Sequence, residues 1–259
     1  MRVNDTMRHV TVLFLLALLV SACGKKGPLI YPEMLAPAAP ANVAVQQSGN
    51  SMKLSFGLPS KDLAGRNLSN LAGVTILKRD AMAGQPPGCS ACTDDFFLFR
   101  KLNLDLLPTG TQRNGSLILL LDGDVRQGRT YSYIVSAFTG EDVTGAASVP
   151  ITAGMVPPPL PPVLQAISQP TEINLEFVGL PPLEGFFAGY NVYRTLKGET
   201  FSYWPLHREP LTANRFTDVG LERGTTYVYA VRTVIRLSTG AFVESGMSNE
   251  VEGKLKDDE

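Results

Sequence analysis

The chain has 259 residues, of which 44% are hydrophobic and 18% are charged, and its formal net charge is −1. This length accommodates two domains of ordinary size, and the composition is typical of globular domains rather than of disordered chains. The charge balance lacks the basic excess of a nucleic-acid-binding protein. The only histidines, His9 and His207, argue against a histidine-based metal centre or a Ser-His-Asp triad.

Residues 1–22 have the features of a secretory signal peptide. Arg2 and Arg8 give a basic start, an apolar run extends from Val10 to Val20, and the small residues Ser21 and Ala22 follow. The apolar run is shorter than the ~20 residues that a membrane-spanning helix needs. We therefore expect cleavage rather than a retained membrane helix.

The sequence Val20-Ser21-Ala22-Cys23 resembles the bacterial lipobox. The resemblance implies that a diacylglycerol is attached to the Cys23 thiol, that cleavage occurs before Cys23, and that the new amino terminus is acylated. Several acyl chains give stable membrane attachment. Gly24 stands where an aspartate would resemble an inner-membrane retention signal, so we expect an outer-membrane lipoprotein with its folded part in the periplasm.

A second resemblance begins at the same cysteine. The segment from Cys23 to Leu29, in which Gly24, Lys26, Gly27, Pro28 and Leu29 are the specified positions, is similar to the start of LptM-type lipoproteins. That family associates with the lipopolysaccharide translocon, which implies a protein partner in the cell envelope. The alternative is a basic, flexible tether beside lipid headgroups. Residues 23–40 then form a tether whose proline-rich part, residues 31–40, is expected to be an extended spacer.

From Ala41 onward, alternating apolar and polar residues separated by turn residues predict β-strands. Met52, Leu54 and Phe56 alternate with polar neighbours, and residues 117–121 are continuously apolar. This pattern is typical of an all-β sandwich. Residues 156–162 contain five prolines and are expected to be a linker, because proline cannot lie in a central strand. The expected domains are therefore residues 41–155 and 163–253, followed by a charged tail, residues 254–259.

The second domain repeats the first. Thr130-Tyr131-x-Tyr133-x-Val135 recurs as Thr226-Tyr227-x-Tyr229-x-Val231, each after a Leu/Val-x-x-Gly step. This step into a Tyr-x-Tyr-x-Val strand resembles fibronectin type III domains. The resemblance implies two tandem fibronectin type III-like, or immunoglobulin-like, β-sandwiches.

In this family, a corner tyrosine returns its hydroxyl to the backbone a few residues upstream. Tyr131 and Tyr227 match that position. The tryptophan that is usual in strand B is absent, and Phe56 and Phe177 are its expected replacements.

An insertion distinguishes the first domain, because its Gly73-to-Tyr131 interval is longer than the matching interval in the second. Cys89 and Cys92 lie in this insertion. In an oxidising periplasm we expect them to form a disulfide. Thioredoxin-like redox chemistry would need the cysteine pair in a βαβ unit, which the sequence does not indicate. Haem attachment would need a histidine directly after the second cysteine, and a zinc site would need two further ligands.

Two aromatic positions invite a binding interpretation. Phe97 follows the insertion, within a run that we expect to be a strand with one face in the core, although an exposed apolar ledge is the alternative. Trp204 could stack on a sugar or pack on the sandwich.

Asp122, Asp124, Glu141 and Asp142 lie near strand ends and are interpreted as solvated turn residues rather than as calcium ligands.

No catalytic constellation, cofactor motif or metal site is found in the sequence, and fold alone does not define function. The sequence favours a non-enzymatic interaction or adaptor module, anchored in the outer membrane through Cys23 and associated with an envelope assembly protein such as the lipopolysaccharide translocon. The alternative is a carbohydrate-binding or surface-adhesion lipoprotein.

Overall fold

The computed structural model describes residues 31–84 and 95–257. The first domain contains nine strands: β1 Ala41–Ser48, β2 Ser51–Gly57, β3 Leu71–Met82, β4 Phe97–Asn103, β5 Thr111–Asn114, β6 Leu117–Asp122, β7 Arg129–Thr139, β8 Thr144–Ala147 and β9 Ile151–Gly154. The second contains seven: β10 Val163–Ser168, β11 Glu172–Val178, β12 Phe186–Leu196, β13 Arg215–Val219, β14 Tyr227–Arg236, β15 Phe242–Glu244 and β16 Val251–Gly253. In these ranges, no helix is long and apolar enough to cross a membrane.

The first domain is a sandwich of two antiparallel sheets. One sheet has the order β1-β2-β6-β5, and the other has the order β4-β3-β7, with β8 and β9 both paired to β7. Met52, Leu54 and Phe56 are fully buried between the sheets, as their alternation predicts. From the other sheet, Ile76 and Val135 complete the core.

The second domain repeats this arrangement. One sheet has the order β10-β11-β13, and the other places β12 beside β14, with β15 and β16 both paired to β14. Phe177 is buried in this core at the position that Phe56 has in the first. The strand order identifies both domains as fibronectin type III-like sandwiches.

The two sandwiches share a sheet. Strand β15 of the second domain pairs with β14 on one edge and, in parallel orientation, with β1 of the first domain on the other. The parallel register places Gln47 opposite Val243 and Ser48 opposite Glu244. A single eight-stranded sheet therefore runs through both domains, and neither β1 nor β15 leaves this edge unpaired.

The segment before β1 differs from the expected extended spacer. Pro32–Leu35 forms a 3-10 helix, the Ala36 side chain is buried, and the Pro37 carbonyl accepts a hydrogen bond from the Ala146 N–H at 2.9 Å. Pairing of the backbone with the first sandwich satisfies polar groups that a free spacer would leave to water. The expectation of an extended spacer is therefore wrong where the 3-10 helix forms, at Pro32–Leu35.

The prediction of a charged tail from residue 254 onward is wrong for the first residues of that segment. Leu255 is buried in the core of the second sandwich, and the Lys256 N–H donates to the Gln169 carbonyl at 3.1 Å. Burial of an apolar side chain stabilises this segment against the sandwich. The second domain thus extends beyond β16.

Candidate functional site

Each sandwich has a corner tyrosine. The Tyr131 hydroxyl accepts a hydrogen bond from the backbone N–H of Arg126 at 2.7 Å, and the Tyr227 hydroxyl accepts one from that of Glu222 at 3.1 Å. Both tyrosines are buried. The two bonds fix the turns that lead into β7 and β14, which is the structural role of this feature.

A buried triad in the first sandwich contradicts the interpretation of Asp122 as a solvated turn residue. The Asp122 side chain is 1% exposed. Its Oδ2 accepts a hydrogen bond from the Tyr133 hydroxyl at 2.6 Å and lies 2.6 Å from the Lys78 ammonium. Burial raises the pKa of the Tyr133 phenol far above its usual value, and the hydrogen bond to Asp122 adds to this effect. The carboxylate is buried because it has partners that replace water.

The same triad recurs in the second sandwich. The Tyr229 hydroxyl donates to Asp218 Oδ2 at 2.9 Å, and Arg194 Nη1 lies 2.8 Å from that oxygen. Aspartate and tyrosine are separated by 11 positions in both domains. This equal spacing is a sequence signal that could have identified both triads. Within each triad the aspartate, the tyrosine and the basic residue bind one another, so we assign both triads a structural role.

Glu244 is the centre of the domain junction. Its Oε2 accepts hydrogen bonds from Ser48 at 2.5 Å and Lys53 at 2.9 Å, both in the first domain. Its Oε1 accepts hydrogen bonds from Asn191 at 2.6 Å and Tyr193 at 2.7 Å, both in the second. Each domain therefore satisfies one oxygen of a carboxylate that is fully buried.

The surroundings determine the ionisation of this site. Burial by itself would raise the pKa of Glu244, but the Lys53 ammonium and the hydrogen bonds from Ser48 and Tyr193 lower it to about 2. Burial raises the pKa of the Tyr193 phenol far above its usual value, and the Glu244 charge adds to this effect. At neutral pH the site is thus a carboxylate with a neutral phenol as donor.

Two glutamines hold further contacts at the junction. The Gln47 amide donates to the Val156 carbonyl at 2.7 Å and accepts from the Val156 N–H at 3.0 Å, which fixes the start of the linker. The Gln112 amide in β5 donates to the Phe201 carbonyl at 2.8 Å and accepts from the Tyr203 N–H at 2.7 Å. The first domain thereby holds a loop of the second.

Trp204 lies in that loop and lines a cleft of about 670 Å³ between the domains. Its side chain is neither fully buried nor fully exposed. Arg113 and Asn114 of β5 lie on the opposite wall, and Arg194 lies on the same wall as Trp204. The cleft therefore places an aromatic surface next to hydrogen-bonding groups from both domains.

Phe97 lies at the edge of the first sandwich. It is 50% exposed and lines a pocket of about 330 Å³ with Lys78, Asp80, Arg126 and other charged residues. The pairing of β3 with β4 is irregular after Ile76, so the strand presents Phe97 and Leu98 to solvent while Phe99 packs on the core.

An apolar groove of about 490 Å³ adjoins the linker. Its walls are the prolines Pro157, Pro158 and Pro159 with Leu160, and the loop from Leu180 to Glu184. Leu183 is 96% exposed and Leu180 is 61% exposed. Exposed leucines grouped beside prolines form a patch of the kind that marks interaction surfaces. Neither the apolar period nor the linker composition predicted this groove.

Backbone groups of the second domain contact both ring nitrogens of His207, which indicates a structural role. Its Nε2 accepts a hydrogen bond from the Val192 N–H at 3.1 Å, and its Nδ1 lies 2.6 Å from the Glu209 carbonyl. This pattern requires a neutral ring with the proton on Nδ1. Burial lowers the pKa of His207, and the Glu209 contact opposes this effect in part.

Several predicted site residues lie outside the described ranges. These are Cys23, the motif positions Gly24, Lys26, Gly27, Pro28 and Leu29, and the cysteines Cys89 and Cys92. Among residues 31–84 and 95–257, no three His, Cys, Asp or Glu side chains are grouped as a metal site would require.

No family model matches the chain, and no curated protein matches it. Among solved structures, one described as "Myokine structure" is 17% identical, with a TM-score of 0.31 over 38% of this chain and 99% of its own. The crystal structure of the chicken CNTN1 FN1-FN3 domains is 13% identical, with a TM-score of 0.31 over 86% of this chain and 69% of its own. Likenesses at this level add nothing to the fold that the strand order defines. The chain is thus a pair of fibronectin type III-like sandwiches with a buried carboxylate at their junction.

Proposed function

We propose that this protein is an outer-membrane lipoprotein that acts as a non-enzymatic adaptor in the bacterial cell envelope. Acyl chains on Cys23 hold it at the membrane, and the two sandwiches form the binding module. The lipobox-like sequence and the LptM-like positions from Gly24 to Leu29 support the anchor and the envelope setting.

The apolar groove beside the linker is the observation that carries the proposal. Leu160, Leu180 and Leu183 are all more than half exposed, whereas Ile235 at the groove is 1% exposed. An exposed leucine side chain costs free energy in water, and burial by a partner recovers about 25 cal/mol per Å² of apolar area. The groove therefore fits an apolar segment of another protein.

The charge of the groove indicates which kind of partner segment would bind there. Among the described residues, Glu184 is the one ionisable side chain that lines it. A partner segment with apolar side chains and one basic residue would match both features. We propose that this segment belongs to an outer-membrane assembly protein, with the lipopolysaccharide translocon as the first candidate.

The junction supports an adaptor role because it fixes the groove relative to the tethered first domain. The linker begins at Val156, which Gln47 binds on both its N–H and its carbonyl. The groove residues Pro157 to Leu160 follow directly. A partner bound there is held at a defined position relative to the first sandwich.

Site-specific photocrosslinking in intact envelopes tests the partner. A photoreactive amino acid at position 183 should give one dominant adduct with an envelope protein, whereas one at Arg215, which is exposed on β13 outside the groove, should not. Identical adduct patterns at both positions, or no adduct at position 183, would refute the groove as the partner site.

The anchor requires a separate measurement. Mass spectrometry of the purified protein should show a chain that begins at Cys23 with diacylglycerol on its thiol, and Cys23→Ser should move the protein from the membrane fraction to the soluble periplasmic fraction. An unmodified Cys23 or an intact Met1 terminus would refute the anchor.

A further inference from the structure

The interdomain cleft has the construction of a ligand site. One wall is β5 of the first domain, and the other is the end of β12 with the loop that carries Trp204. The Gln112 amide joins the two walls through its hydrogen bonds to Phe201 and Tyr203. Because each domain supplies one wall, the cleft exists only when both are joined. Its volume of about 670 Å³ is in the range of small-molecule sites.

Trp204 supplies the apolar surface of the cleft. It is the only tryptophan in the chain. Its backbone N–H donates to the Ser202 hydroxyl at 3.1 Å, which fixes the start of its turn. An indole ring that is partly open to a polar cleft provides a flat apolar face, and the C–H face of a sugar ring is complementary to it.

The polar groups of the cleft are matched in charge. Arg194 is compensated by Asp218, to which its Nη1 donates two hydrogen bonds. Arg113 and Glu199 remain, one of each sign, and both are exposed. The part of the lining that the structure describes therefore has no net charge to attract an ionic ligand.

The same groups can both donate hydrogen bonds to the hydroxyl groups of a ligand and accept hydrogen bonds from them. Arg113 donates through Nε to the Gly115 carbonyl at 2.8 Å, and among the described residues its terminal nitrogens have no hydrogen-bond partner. Glu199 provides acceptors, and Asn114 provides both donors and an acceptor. Sugar hydroxyls donate and accept at once, so this set suits them better than it suits a simple anion or cation.

We propose that the interdomain cleft binds an uncharged oligosaccharide, with Trp204 as the stacking surface and Arg113, Asn114 and Glu199 as hydrogen-bonding partners. This site is separate from the apolar groove, so the adaptor proposal and this one can fail independently. The requirement for both domains distinguishes the site from a binding face on a single sandwich.

Trp204 fluorescence gives a direct test because no other tryptophan contributes. Chitotetraose, maltotetraose and mannotetraose are titrated into the full chain, with tetragalacturonate as the charged comparison. At least one neutral tetrasaccharide should change the emission saturably, and tetragalacturonate should bind more weakly. No saturable response to any neutral probe, or a stronger response to tetragalacturonate, would overturn the proposal.

Variants separate recognition from folding. With the best neutral probe, Arg113→Ala and Gln112→Leu should each weaken binding by about tenfold, a change of 1.4 kcal/mol, while circular dichroism remains that of the parent. Arg215→Ala, at an exposed arginine outside the cleft, should leave the affinity unchanged. Equal affinity in all three variants would place the ligand elsewhere and overturn the proposal.

Discussion

The Lys53 ammonium of the first sandwich lies 2.9 Å from the Glu244 carboxylate of the second. Their side chains are 11% and 0% exposed, so the pair lies inside the protein at the point where the shared sheet passes from one sandwich to the other. A buried ion pair is stable only when hydrogen bonds satisfy its remaining polar atoms. Because each domain satisfies a different oxygen of Glu244, separation of the domains would leave half of the carboxylate unpaired.

Removal of this carboxylate should weaken the whole protein. We expect Glu244→Ala to lower the free energy of unfolding by about 3 to 5 kcal/mol, because Lys53 would lose its partner in a buried site. Urea unfolding of both proteins at neutral pH measures the difference. The control is Glu252→Ala, which breaks an exposed pair with Lys197 and should cost no more than about 1 kcal/mol. Equal losses in the two variants would contradict a special role for Glu244.

The acid stability of the protein should report on the same group. The folded-state pKa of Glu244 is about 2, below its usual value of 4.5. Its contribution is therefore complete above pH 4.5 and is lost as the pH falls from there through about 2. We expect the difference in unfolding free energy between the wild type and Glu244→Gln to shrink across this window. Parallel pH profiles for the two proteins would show that Glu244 does not contribute in this way.

Two glycines, Gly73 in β3 and Gly189 in β12, should not tolerate a side chain. A Cβ at Gly73 would collide with the Leu102 carbonyl and the Phe138 ring, and one at Gly189 would lie 2.7 Å from the Leu211 carbonyl, where φ is +144°. Alanine at either position should destabilise the protein by about 1 to 3 kcal/mol or more. Gly140→Ala has open space and should change stability by less than about 0.5 kcal/mol. Thermal unfolding compares the three, and tolerance at both Gly73 and Gly189 would show that the packing there is looser than described.

The two buried triads should contribute similarly. Tyr133→Phe and Tyr229→Phe each remove a hydroxyl that donates to a buried aspartate. We expect a loss of about 1 to 3 kcal/mol from each, because the carboxylate loses a hydrogen bond that water cannot replace. Tyr31 is 60% exposed, so Tyr31→Phe should be nearly neutral in the same chemical denaturation experiment. Neutral effects in the core variants would mean that the hydroxyls are dispensable.

The fold of each domain could be predicted because its signals are local. Alternation over Met52, Leu54 and Phe56 identifies a half-buried strand without reference to any other part of the chain. The spacing that leads into Tyr131 and Tyr227 recurs between domains and therefore reports a repeated structure. The structure confirms the all-β class and the sandwich architecture.

The junction could not be predicted because its partners are distant in sequence. Ser48 and Lys53 are separated from Glu244 by 196 and 191 positions. Glu244 is the last residue of the three-residue strand β15, and a carboxylate at a strand end is usually expected to be exposed. A pairing of two residues with β1 leaves no periodicity that would reveal it.

Only part of the candidate cleft could be predicted from the sequence. Trp204 stands out as the single tryptophan, and an aromatic residue in a loop invites a binding hypothesis. Its neighbours Gln112 and Arg113 lie in the other domain, in a short strand of four residues. The groove beside the linker was missed for a related reason, since Leu183 becomes significant only when the prolines of the linker lie next to it.

Differential scanning calorimetry of the full chain tests the coupled junction most directly. If Glu244 and the β1–β15 pairing join the sandwiches into one cooperative unit, the protein should unfold in a single transition whose calorimetric and van't Hoff enthalpies agree. Glu244→Ala should split that transition into two. Two independent transitions in the unaltered protein, unchanged by Glu244→Ala, would contradict the coupling.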